Sequence, residues 1–103
     1  MSRARRVDQN AVATLDLYTE NVGDLYPQFK SILAAMKKKM REGKLKVSTA
    51  WRMWMPWYDA GARRYAREVS AMEARTFTLA VRRKAAGERA AHEYGRIVRG
   101  EWD

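Results

Sequence analysis

Cysteine is absent from this chain of 103 residues, so neither a disulfide nor thiolate chemistry is open to it. Histidine occurs once, as His92, and a zinc site wants three or four ligands. Glu88 and His92 stand four apart and can share a helix face, a spacing far commoner in a hydrogen-bonded pair than in a metal site. No glycine-rich phosphate loop is present, and nothing marks a nucleophile turn. The acidic residues are too scattered to nominate an acid–base pair. The expectation is a protein that is not an enzyme and uses neither metal nor cofactor. Apolar runs of membrane-spanning length are also missing. Arg3, Arg5 and Arg6 have no apolar segment behind them, so the N-terminus does not read as a secretory signal. These absences fit a reducing cytoplasm.

Acidic residues are the other scarcity. Twelve face twenty-one lysines and arginines, a formal net charge of +9. Such an excess attracts polyanions, whether nucleic acid, an anionic membrane surface or an acidic protein surface, with nucleic acid or an acidic partner favoured. Hydrophobic residues make up 47% of the chain, which places it among folded proteins. Its length suits one domain spanning 1–103, with residues 1–7 expected to form a mobile basic arm.

Trp51 to Tyr65 holds three of the four tryptophans and two of the five tyrosines. At helical spacing Trp51, Trp54, Met55, Tyr58, Ala62, Tyr65, Val69 and Met72 share one stripe, with Arg52, Asp59, Arg63 and Arg67 opposite. Pro56 cannot donate to the carbonyl of Arg52, and the unbroken stripe across it predicts a single helix kinked there. Ser48 or Thr49 is the expected cap.

Three more helices are predicted around it. Asp8 caps a first, carrying Ala11, Val12, Leu15, Tyr18 and Val22 and ending at Gly23. Asp24 opens a second, with Pro27 in its first turn, a stripe of Phe29, Ile32, Leu33, Met36 and Met40, and Gly43 as its stop. The fourth runs from about Phe77 to Val98. Its apolar arc is Phe77, Ala80, Val81, Ala91, Tyr94 and Val98, with Arg82, Arg89, Glu93 and Arg96 opposite. Ser70 with Glu73 forms a possible capping box before it, with Thr76 as the competing start. Gly87 and Gly95 weaken this helix unless they serve close packing. The fold class is therefore all-α, a compact bundle of about four amphipathic helices.

The cations fall in three clusters: Arg3, Arg5 and Arg6; Lys30, Lys37, Lys38, Lys39, Arg41, Lys44 and Lys46; and Arg82, Arg83 and Lys84. Phosphate contacts need cationic side chains that converge on a backbone, not a special sequence. Each cluster alone reads as a solvated face; three together favour a nucleic-acid-binding module that grips the backbone. The link at 43–47 is longer than a helix-turn-helix turn, which argues against a base-reading helix. Met53, Trp57 and Arg64 leave the aromatic stripe; either their composition marks a partner-binding patch or a base-stacking platform, or another helix covers them, since a central helix can be buried on two sides. The alternative function is a protein-interaction module that inhibits or remodels a larger host complex. In size, basicity and tryptophan density the chain resembles small accessory proteins of phages and plasmids, a likeness of general character that assigns no residue a role. A homodimer hiding the aromatic stripe is compatible with the pattern.

Overall fold

In the computed structural model, which describes residues 7–102, the chain is all-helical: α1 (Gln9–Glu20), α2 (Tyr26–Arg41), α3 (Trp51–Glu68) and α4 (Leu79–Val98). Short 3-10 turns, Gly23–Leu25 and Glu73–Thr76, precede α2 and α4. The molecule is a flat body of 42 × 39 × 18 Å. Among the described residues, no helix is long and apolar enough to cross a membrane. The Arg3, Arg5 and Arg6 cluster lies outside the described residues.

Each helix begins and ends for a local reason. The Asp8 carboxylate accepts from the amides of Asn10 and Ala11, so the expected cap of α1 is present. α1 stops earlier than Gly23, with Asn21 capping it by a side-chain bond to the carbonyl of Leu17. Asp24 sits in the 3-10 turn rather than opening α2, which begins two residues later. α2 ends as expected. Gly43 takes φ +69°, and the amides of Gly43 and Lys44 bond back to the carbonyls of Met40 and Lys39. Gly100, at φ +76°, closes α4 with the same pattern.

α3 is the central helix and runs unbroken through Pro56. Arg52 and Pro56 are both exposed, so the carbonyl that the proline leaves unbonded is on the wet side of the helix. Its cap is neither Ser48 nor Thr49: Ala50 holds that position without a side-chain bond, and the Thr49 hydroxyl donates to the carbonyl of Lys46. Trp54, Tyr58 and Tyr65 are buried as the stripe requires, but Val69 and Met72 are exposed because α3 ends at Glu68 and its period ends with it.

The core is built where α1 and α4 close on α3. Gly61 makes the first approach possible. A Cβ there would stand 2.1 Å from the Oγ1 of buried Thr19, whose hydroxyl donates to the carbonyl of Leu15. The second approach depends on alanines: Ala85, Ala86 and Ala90 are buried on α4. α2 attaches through aromatic contacts. The Phe29 ring lies 5.2 Å from that of Trp54 and 5.3 Å from that of Trp57, and the Trp54 indole N–H points at the Met36 sulfur, 3.2 Å away.

α4 overturns two expectations. Its buried face is Val81, Ala85, Ala86, Arg89, Ala90 and Glu93, about half a turn round from the predicted arc. Ala80, Ala91 and Val98 face solvent, and Tyr94 is half-buried. With few large apolar residues in α4, small alanines and one internal ion pair decide which side goes in. Gly87 has nothing within 4 Å of an added Cβ and Gly95 only the Arg99 side chain, so neither serves a close helix approach. The Ser70 hydroxyl does accept from the Glu73 amide, but this opens the 3-10 turn; α4 is capped by Thr78, which accepts from Val81.

Candidate nucleic-acid interface

Acidic residues from Asp8 to Glu101 are all engaged inside the fold. Asp8 caps α1, and Glu73 accepts from the Tyr65 hydroxyl at 2.5 Å. Asp24 and Glu68 hold Arg64 at 2.9 and 2.6 Å. Asp59 holds Arg82 at 2.8 Å, Glu88 meets Lys84 at 3.8 Å, and Glu42 meets Lys44 at 3.9 Å. Glu101 bonds both Arg96 and Arg99.

Asp16, Glu20 and Glu93 converge on Arg89, whose side chain is 8% exposed. The guanidinium bonds Asp16 at 3.0 Å and Glu93 at 2.8 Å, touches Glu20, and donates to the Tyr58 oxygen. It also lies 5.9 Å from the Phe29 ring centroid and 5.8 Å from that of Trp57. Burial alone would lower its pKa, but the Tyr58 oxygen and the carboxylates raise it above its usual value, so Arg89 stays charged. Burial and the Asp16 carboxylate push the Tyr58 phenol well above its ordinary range. The Trp102 indole N–H donates to Glu93 at 2.6 Å and completes this interior network. The sequence pattern placed Arg89 and Glu93 on the wet side of α4; the partners of Arg89 other than Glu93 come from α1 and α3, 31 to 73 residues away, and leave no local signal.

This leaves cations without carboxylate partners among the described residues. Lys38, Lys39, Arg41, Lys46, Arg52 and Arg83 all reach solvent, and none is within 4.0 Å of a carboxylate oxygen. The chain reversal between α2 and α3 gathers several of them. Lys39, Lys44, Lys46 and Arg52 line a shallow cleft of about 240 Å³, floored by Leu45, Ala50 and Met53. Arg52 was not among the expected site residues; its place on the far side of Gly43 conceals it. The cleft also holds the N-terminal end of α3, where the helix dipole is positive. Lys38, Lys39 and Arg41 have a structural role too, since they sit in the last turn of α2 and suit its dipole. That role does not extend to Lys46, Arg52 or Arg83.

From the cleft the surface continues past Trp51 onto α4. Arg52 stands 5.4 Å and Arg83 4.3 Å from the Trp51 ring centroid. Trp51 is half-buried and lines a wider groove of about 720 Å³ with Arg83, Lys84, Leu79 and Val7.

Several expected site residues stand elsewhere. Lys30 projects at the other end of α2, 5.7 Å from the Tyr26 ring. Lys37 is half-buried rather than exposed. Arg82 turns inward to Asp59 and to the carbonyl of Phe77, because that carbonyl ends a 3-10 turn and needs a donor. The patch of Met53, Trp57 and Arg64 does not exist. Trp57 is 1% exposed, its indole donating to the carbonyl of Leu25 at 3.0 Å, because α2 and the turn before it cover that side of α3. Met53 is half-buried at the cationic cleft, and Arg64 is held by its two carboxylates. Glu88 and His92 are exposed and line one pocket with Asp16, Glu20 and Arg89. Among the described residues no group of three or more His, Cys, Asp or Glu could hold a metal ion. No protein family matches the chain, and no curated protein or solved structure does either.

Proposed function

We propose that this protein is a non-catalytic nucleic-acid-binding module acting in the cytoplasm, which grips the phosphate backbone along the edge formed by the end of α2, residues 44–52 and Arg83. The supporting observation is the division of the charges. The carboxylates from Asp8 to Glu101 are engaged within the fold, while Lys38, Lys39, Arg41, Lys46, Arg52 and Arg83 have no carboxylate partner. An ion pair already made inside a protein contributes little to capturing a polyanion; an unpaired surface cation releases counterions when phosphate replaces them. Among the described residues Lys30, Lys37, Arg63, Arg67 and Arg75 are unpaired as well, but Arg63 is about 16 Å along α3 from Arg52, away from this edge.

A second reading rests on Leu79, which is 63% exposed beside Trp51 and Arg83. An apolar side chain among cations also suits an acidic protein surface. Fluorescence anisotropy with labelled oligonucleotides separates the two. The nucleic-acid reading expects binding at 50 mM salt that weakens by at least tenfold by 200 mM. Absence of binding at 50 mM rejects it and leaves the protein partner.

A further inference from the structure

The Trp51 groove carries more than charge. Of the tryptophans on α3, Trp54 and Trp57 are buried, whereas Trp51 is half-buried and lines a groove. Two unpaired guanidinium groups lie within 5.4 Å of its ring centroid, one from its own helix and one from α4. The groove beside it, of about 720 Å³, is lined in part by the small or apolar residues Leu79, Ala80, Gly87 and Ala91. Its one carboxylate, Glu88, is paired to Lys84.

We infer that Trp51 is a base-stacking platform and that the ligand class of this edge is single-stranded nucleic acid, a proposal that rests on the phosphate-binding reading above. In duplex the bases are stacked on one another and no base face is free for an indole. An unpaired base offers its face to Trp51, while the phosphates on either side reach Arg52, Lys46 and Lys39 in one direction and Arg83 in the other. Any base has such a face, so binding is tolerant of sequence. The chemistry predicted for Trp57 from its composition is thus placed about one and two-thirds helical turns earlier, where the ring is only half-buried and guanidinium groups lie over it.

The test compares three labelled probes of equal length: an oligothymidylate 15-mer, an abasic 15-mer with the same phosphates, and a 15-base-pair duplex. The wild-type protein is expected to bind the oligothymidylate about tenfold more tightly than the abasic strand. Trp51→Leu keeps an apolar side chain against the core but has no ring face, and it is expected to bring the two affinities together. Equal affinity of the wild type for the thymidylate and abasic strands overturns the proposal while leaving phosphate binding in place. So does tighter binding of the duplex than of the thymidylate strand, or a ratio that survives Trp51→Leu. Binding to none of the three at 50 mM salt rejects the phosphate reading and this proposal with it. The wild-type ratio decides without any variant, so a Trp51→Leu protein that fails to fold does not block the test.

Discussion

Among the described residues arginine meets tryptophan in three places, and two of them have opposite surroundings. Arg89 lies beside Trp57 and Phe29 in the interior, among Asp16, Glu20 and Glu93. Arg83 and Arg52 lie over Trp51 at the surface, with no carboxylate oxygen within 4.0 Å among the described residues. The residue types match and the ring distances are similar. The carboxylates set the two apart. Inside, the negative charges satisfy the guanidinium and tie α1, α3 and α4 together; outside, their absence leaves the cations available to an anion from elsewhere. An arginine–aromatic contact therefore says nothing about function until its counter-charges are counted.

The interior site is where substitutions cost most. Arg89→Met leaves the Glu93 carboxylate buried without its counter-ion, so it is expected to lower stability by about 3–5 kcal/mol in denaturant unfolding. Adding Glu93→Leu to that variant should restore part of the loss, because two apolar residues replace a broken pair. A double variant less stable than Arg89→Met would mean that Glu93 has support beyond Arg89 and Trp102. Trp57→Ala is expected to cost about 3–5 kcal/mol as well, since the ring is covered. A melting temperature close to that of the wild type would return Trp57 to the surface and reverse the contrast with Trp51.

The edge should behave the other way. Lys39→Glu, Lys46→Glu and Arg52→Glu together are expected to weaken oligonucleotide binding at least 100-fold near 100 mM salt, with the unfolding midpoint almost unchanged. Loss of stability in proportion to loss of binding would show these cations to be structural.

Alkaline titration gives the smallest effect. The Tyr58 pKa is raised in the folded protein above its ordinary 10, by burial and then by Asp16. Its contribution is fully present below pH 10 and is lost as the pH climbs above that value, where the unfolded tyrosine ionises and the folded one does not. Tyr65, beside Glu73, and Tyr18, near Glu68, shift the same way. Tyr58→Phe is expected to cost about 1 kcal/mol at neutral pH through the lost bond to Asp16, and to decline less steeply above pH 10. Parallel curves above pH 10 would contradict the burial of the hydroxyl.

The contrast between the two sites also explains what could be read from the sequence. Helices, the Gly43 stop and the Trp54–Tyr58–Tyr65 stripe were legible because each rests on spacing within one segment. The face of α4 was not, because Arg89 takes its partners from α1 and α3, and alanine is indifferent to either side. Trp57 was left open between core and interface for a related reason: a central helix is covered on two sides, and one stripe describes only one of them. The basic run at 37–46 was visible as charge, but the addition of Arg52 and Arg83, and the removal of Arg82, follow from a chain reversal and from ion pairs. Counting carboxylates against cations in sequence gives the excess and not its location.

Location is what a pair of variants of equal net charge would measure. One carries Lys39→Ala, Arg52→Ala and Arg83→Ala on the edge; the other carries Arg63→Ala, Arg67→Ala and Arg75→Ala elsewhere. The quantity is the slope of log affinity for an oligothymidylate strand against log salt. The edge variant is expected to lose about 2 from the magnitude of the wild-type slope, close to 0.7 for each phosphate contact removed from a single strand, while the other variant keeps the wild-type slope. Equal slopes for the two variants would show that net charge alone draws the polyanion, and the edge would have no claim as a site.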